Sequence, residues 1–280
     1  MKKITVKANS KVNLTLDILG VSGGYHLLSS LVCSTALSDT ITVRKRKDDL
    51  ITLKNKGIKI DCSLIDNNAY KTAKLFQKTF NTSGVDIIID KRIPLGGGLG
   101  GSSADIAGVL NAMKKLFNVS EGLEKIANEL SSDACYMLKG GYAVMSGRGD
   151  KVEYLNTNKK LYFVVFTDKN SVSSRACYKR YDELNISTEN CTEQVLNAFN
   201  ENDEKFFGLL KNDLYKPATT LNSNIELNLI ALKNAGAKTA IMTGSGSAVL
   251  GVFNDKKERD NVYKILIGRF GNKILKTETV

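Results

Sequence analysis

Ile4, Val6 and Ala8 alternate with polar neighbours, and a period of two predicts a strand at the start of the chain. Val12, Leu14, Leu16 and Ile18 continue the alternation, with Lys11, Asn13, Thr15 and Asp17 on the opposite face. Gly20 to Gly24 predicts a turn, and Thr40–Arg46 and Leu50–Lys54 predict two more strands. The period then changes. Ala69, Ala73, Phe76 and Phe80 form the buried stripe of a helix over Asn67–Phe80. Val85–Ile89 reads as a strand. Ile106, Val109, Leu110, Met113, Leu116 and Phe117 return at helical spacing. A further helix over Glu121–Leu130 is expected to end at Ser131-Ser132-Asp133, leaving Asp133 in a junction. Gly140-Gly141 then opens a short strand, Tyr142–Met145.

The polar stretch Asn156–Lys160 marks a composition shift, and the expected domains are 1–156 and 157–280. Beyond it the pattern gives strand Leu161–Thr167, helices through Leu232, and strands Thr239–Met242 and Ala248–Phe253. Helix Lys256–Phe270 and strand Lys273–Thr277 follow. That order is βαββαβ with an enlarged first helical connection, the split βαβ plan. The fold class expected is α+β.

With 42% hydrophobic and 25% charged residues, the 280-residue chain has the composition of a globular protein. No run of about 18 apolar residues predicts a membrane span. Met1–Lys7 carries charge but no apolar core of a signal peptide. The five scattered cysteines form no C-x-x-C pair and no zinc spacing, and read as reduced thiols of a cytoplasmic protein. The net charge of +11 suits an anionic small substrate, a solvated lysine-rich surface, or nucleic acid. No basic helix with interleaved aromatics supports the last.

The chemistry concentrates in Pro94–Asp105, Pro-Leu-Gly-Gly-Gly-Leu-Gly-Gly-Ser-Ser-Ala-Asp, between a strand and a helix. Glycines let backbone N–H groups close around an anion, and the helix start adds unpaired donors and positive dipole. Ser102 and Asp105 have capping-box spacing. Besides a phosphate cradle, two readings compete: a plain glycine-rich turn, and a dinucleotide site. Gly96, Gly98 and Gly101 do satisfy G-x-G-x-x-G. The βαβ unit a dinucleotide site requires does not follow, and no lysine stands where a Walker loop needs one. Thr243–Ser247, with two glycines and three hydroxyls, is a second anion-binding candidate or a plain hairpin loop. Lys11 with Asn13, His26 beside Tyr25, and Asp133 each have an ordinary reading: a solvated face, a structural histidine, a turn or capping aspartate.

Lys11-x-Asn13, Pro94–Asp105 and Thr243–Ser247 stand in the order of the three motifs of the GHMP small-molecule kinases, and the chain resembles that family over nearly its whole length. Gly24-Tyr25-His26, Leu37-Ser38-Asp39-Thr40-Ile41, Ser132-Asp133 before Gly140-Gly141, and Val172-Ser173-Ser174 with Tyr178 resemble its cytidyl-ester branch. The resemblance implies an N-terminal domain like ribosomal protein S5 domain 2 and a C-terminal ferredoxin-like domain. It implies ATP and Mg²⁺ as cofactors and a cytidyl diphosphate sugar alcohol as substrate. Asp133 would be the base and Lys11 its partner. Pro94, Leu95, Gly96, Gly97, Gly98, Leu99, Gly100, Gly101, Ser102 and Ser103 would wrap the ATP phosphates, with Ser103 near the metal. Tyr25 and Tyr178 would sandwich the base, His26 would bond to its edge, and Asn13, Ser174, Gly244 and Ser245 would meet the substrate. Gly23, Cys135, Ser174 and the Ser-Ser-Ala-Asp register depart from the usual pattern. Kinases for homoserine or mevalonate, and a nucleotide- or RNA-binding protein without turnover, remain the alternatives.

Overall fold

The computed structural model describes residues 2–186 and 188–280. Its elements are β1 (Lys3–Asn13), β2 (Asp17–Ser22), β3 (Tyr25–Lys45), β4 (Ile51–Gly57), α1 (Asn68–Phe80), β5 (Val85–Lys91) and α2 (Gly101–Phe117). There follow α3 (Leu123–Leu130), α4 (Ser132–Lys139), β6 (Tyr142–Gly147), β7 (Lys151–Leu155), β8 (Tyr162–Phe166), α5 (Ser174–Leu184) and α6 (Thr192–Glu201). The last are α7 (Phe206–Leu209), α8 (Tyr215–Leu221), α9 (Asn224–Asn234), β9 (Thr239–Met242), β10 (Val249–Phe253), α10 (Lys256–Phe270) and β11 (Ile274–Glu278). Two compact units result. One contains the chain up to Ser10, Leu37–Ile93 and Gly100–Gly140; the other contains Lys11–Ala36, Pro94–Leu99 and Gly141–Val280. This division is discontinuous along the chain, and so differs in kind from the sequential one at 156/157.

In the first unit, the later part of β3 pairs antiparallel with β5 from Thr40↔Asp90 to Lys45↔Val85. β4 pairs parallel with β5, and α1 supplies the crossover that parallel neighbours require. Asn67 caps α1 by accepting the Ala69 N–H at 2.9 Å. Of the expected α1 stripe, Ala69, Ala73 and Phe76 are buried, while Phe80 is only half-buried. α2 is the central helix, with eleven buried residues spread around its circumference. It approaches the strands at Gly108, where a Cβ would lie 2.7 Å from Ile41 Cγ1 and 2.9 Å from Ala8 Cβ.

In the second unit, β2 and β3 form a hairpin closed by Gly23 and Gly24, both at positive φ. Early β3 pairs with β6, and β6 with β7, all antiparallel. A separate antiparallel sheet has the order β11-β8-β10-β9, the split βαβ arrangement. Val164, Phe166, Val249 and Ile274 from this sheet and Leu229, Leu232, Val262 and Leu266 from α9 and α10 build its core.

Several expectations need correction. The alternating run Val12–Ile18 is not one strand. The Leu14 and Thr15 N–H groups both donate to Leu31 O, Leu16 N–H donates to Lys211 O, and β2 begins only at Asp17. Both faces of the run are buried, so Lys11, Asn13, Thr15 and Asp17 are not a solvated surface. Ser132–Lys139 is a helix and β7 a strand, both unforeseen, and Asp133 stands in the first turn of α4 rather than in an open junction. The capping box at Ser102 and Asp105 does not form. α2 starts at Gly101 with Gly100 as its N-cap, which places both residues inside the helix.

Candidate active site

In the second unit, Lys11 and Asn13 project together from β1, because residues two apart share a strand face. Lys11 Nζ donates to Asn13 Oδ1 at 2.6 Å, and Asn13 Nδ2 donates to Ser30 Oγ at 2.8 Å. The backbone is tied too. Lys11 N–H donates to Leu99 O at 3.0 Å, and Asn13 N–H to Thr243 Oγ1 at 2.9 Å. A cation and an amide therefore stand side by side, 5% and 6% exposed, beside the glycine-rich segment.

Pro94–Leu99 packs on the Thr243–Ser247 turn. Ser247 N–H donates to Gly96 O and Ala248 N–H to Gly97 O. At Gly98 a Cβ would lie 2.2 Å from Thr243 O, and at Gly96 it would lie 2.3 Å from Ser171 Cβ. φ is positive at Gly96, Gly98 and Gly100, at 65°, 74° and 71°. A positive φ at every second residue turns successive N–H groups toward one concave side, the geometry that holds phosphate oxygens. The turn itself is braced by Asn212 Nδ2, which donates to Met242 O and Gly244 O at 2.9 and 2.8 Å. Ser174 and Ser245 hydroxyls meet at 3.0 Å. Ser247 Oγ is buried without a hydrogen-bond partner among the described residues. Pro94 is half-buried, and Leu95 exposed.

The aromatic residues divide. His26 stacks on Tyr178 with ring centroids 4.8 Å apart and planes 32° from parallel. Its Nε2 lies 2.7 Å from Asp182 Oδ1. Tyr25, 58% exposed, instead has the Arg148 guanidinium over its ring at 4.8 Å. Tyr25 and Tyr178 thus each have one face covered by a side chain of the protein.

In the first unit, Gly100 and Gly101 open α2 with no side-chain cap, leaving its first N–H groups without a capping side chain. Ser102 Oγ accepts from Asn68 Nδ2 at 2.6 Å, and Ser103 Oγ meets Ser131 Oγ at 2.8 Å. Ser131 is the N-cap residue of α4, so Ser103 is tied to the helix start that carries half-buried Asp133. Beneath the loop, Lys91 is 1% exposed. It donates to Asp39 Oδ2 at 2.7 Å, Asp105 Oδ2 at 2.6 Å and Gly101 O at 2.9 Å. Asp39 Oδ1 in turn accepts the Arg92 and Ile93 N–H groups. Burial pushes Asp105 up to about 7, against the pull of Lys91 and with Asp39 adding to the rise.

Asp182, Arg148, Ser30, Ser131 and Lys91 did not emerge from sequence reasoning. Asp182 had a signal: it lies four residues after Tyr178, on the same helix face. The others carry none, because their roles depend on strand pairing and helix packing.

Comparison with known proteins identifies the family. Residues 67–147 match the GHMP kinases N terminal domain, and residues 189–273 match the GHMP kinases C terminal domain. The 4-diphosphocytidyl-2-C-methyl-D-erythritol kinase of Clostridium tetani is 33% identical over 98% of this chain and 99% of its own. That of Clostridium beijerinckii is 33% identical over 89% and 91%. A crystal structure of 4-(cytidine 5'-diphospho)-2C-methyl-D-erythritol kinase superposes with a TM-score of 0.83 at 26% identity, covering 99% of this chain and all of that one. Both halves of the family pattern and nearly full-length relatives are present, so the protein belongs to the GHMP kinases and is an ATP-dependent kinase.

Proposed function

We propose that the protein transfers the γ-phosphoryl group of ATP to the 2-hydroxyl of 4-diphosphocytidyl-2-C-methyl-D-erythritol, a step of the methylerythritol phosphate route to isoprenoids. The observation that carries the reading is the buried Lys11 ammonium, bonded to Asn13, on a strand whose backbone is tied to the glycine-rich loop at Leu99. The names of the relatives support the substrate.

Asp133 takes the proton of the attacking hydroxyl as the new P–O bond forms and the bond from the γ-phosphorus to the bridging oxygen breaks, releasing ADP, a general-base role worth about 10²–10⁴-fold. Lys11 offsets the charge that develops on the phosphoryl oxygens. Pro94–Ser103 wraps the phosphates, with the backbone N–H groups from Leu95 onward and the start of α2 as donors, and with Ser247 Oγ as a buried hydroxyl that has no hydrogen-bond partner among the described residues. Asn13, Ser174, Gly244 and Ser245 orient the sugar alcohol. Tyr25, Tyr178 and His26 hold the cytosine. Among the described residues no cluster of three or more His, Cys, Asp or Glu side chains is arranged for a metal. Ser103 Oγ, at the start of α2 and 2.8 Å from Ser131 Oγ, would be the protein contact for Mg²⁺, which would supply neutralisation of phosphate charge.

A coupled ADP-release assay over the cytidyl ester, homoserine and mevalonate tests the substrate. Turnover is expected with the cytidyl ester. Turnover with homoserine or mevalonate instead would replace the substrate assignment. ATP binding without turnover of any of the three would favour a nucleotide-binding role.

A further inference from the structure

His26 is the one histidine of the chain, and α5 holds its ring on two sides. Tyr178 stacks on its face, and Asp182 lies 2.7 Å from Nε2. Tyr181 meets it edge-on, with centroids 6.0 Å apart and planes at 86°. Tyr178 and Asp182 are four residues apart, so α5 presents both to the same side. From the other direction, His26 is anchored in the β2–β3 hairpin, opposite Val21. The ring is thereby located by a strand and oriented by a helix.

An ionised carboxylate only accepts hydrogen bonds. A neutral imidazole bonded to it through Nε2 must carry its proton on that nitrogen, which leaves Nδ1 with a lone pair. Among the described residues none hydrogen-bonds Nδ1. An acceptor held there discriminates between pyrimidines that stacking treats alike. Cytosine and uracil have nearly the same outline and both offer a π-face. They differ at position 4, where cytosine carries an amino donor and uracil a carbonyl acceptor. A lone pair facing the amino group makes a hydrogen bond; facing the carbonyl, it leaves two acceptors opposed and unpaired.

We propose that Asp182 is a positioning residue that sets the tautomer of His26, so that the site selects a base edge bearing an amino donor over one bearing a carbonyl. The inference rests on the reading that His26 faces the base of a cytidyl ester.

The lone histidine makes the tautomer directly readable. In protein labelled with ¹⁵N-histidine, a long-range ¹H–¹⁵N spectrum at about pH 8, above the ordinary histidine pKa of ~6.5, contains a single imidazole. Wild type is expected to show the Nε2–H form, and Asp182→Ala a mixture of both. The ratio of kcat/KM for the cytidyl ester over the corresponding uridyl ester is expected to fall by roughly tenfold in the variant, with KM for ATP unchanged. Asp182→Asn keeps the shape of the side chain, and its amide N–H can donate to Nε2. It is expected to raise the Nδ1–H population, and it serves if the alanine variant does not fold. An Nδ1–H form in wild type, or an unchanged tautomer in both variants, overturns the proposal. So does an altered tautomer with an unchanged cytidyl-to-uridyl ratio. If wild type converts neither ester, the substrate reading fails, while the spectra still decide whether Asp182 sets the tautomer.

Discussion

The backbone N–H of Asn13 donates to the Thr243 hydroxyl at 2.9 Å, joining β1 to the β9–β10 turn from positions 230 residues apart. The bond is buried, and Asn13 is also the residue that holds the Lys11 ammonium. Removing the acceptor without changing shape leaves a buried N–H unpaired. Thr243→Val is therefore expected to cost about 1–3 kcal/mol, read as a lower urea midpoint. A midpoint equal to wild type would show that the bond contributes nothing net.

Asp133 and Lys11 are expected to act on rate and not on nucleotide affinity. Asp133→Asn keeps the volume but cannot take a proton, so turnover should fall by at least ~10²-fold while ATP binding by calorimetry stays near wild type. Lys11→Met should lower kcat more than it raises KM. Normal turnover in either variant removes that residue from the mechanism.

Two glycines make opposite predictions. Gly98 has φ 74° and a Cβ there would meet Thr243 O at 2.2 Å. Gly98→Ala is expected to cost about 2–4 kcal/mol and to weaken ATP binding. Gly268 lies inside α10 with nothing near its Cβ position. Gly268→Ala should leave activity alone and gain up to ~1 kcal/mol from helix propensity. Equal thermal shifts in the two variants would contradict the packing at Gly98.

Asp105 gives a pH dependence. Its pKa is raised from the ordinary 3.8 to about 7, so between about pH 4 and 7 the folded state binds a proton that the unfolded chain has released. By linkage, its contribution to stability is lost as pH rises through that window. Asp105→Asn should flatten this fall in thermal midpoints, and a slope unchanged by the substitution would place its origin elsewhere. Lys91→Met, which strands two buried carboxylates, should be far more harmful, by about 3–5 kcal/mol.

The comparison between sequence and fold turns on the range of the interaction. Helices α1 and α10 and strands β9 and β10 lie within a residue of expectation. Their apolar periods, and local caps such as Asp255 accepting the Glu258 N–H, act over a few residues. α4 was missed because its eight residues include only two buried ones and so carry little period. The Ser102–Asp105 capping box failed for the same kind of reason. Lys91, from a strand, claims Asp105, and Asn68, from another helix, claims Ser102.

Sequence alone determined the family, the α+β class and the glycine loop, because these rest on residue types at fixed short spacing. It also supplied His26 and Tyr178 as candidates. Only the tertiary structure decided what each polar group bonds to. It buried Lys11 beside Asn13, set Asp182 on the His26 imidazole and laid Arg148 over Tyr25. A hydrogen bond needs its partner within about 3 Å, and partners distant along the chain reach that distance only when sheets and helices have packed.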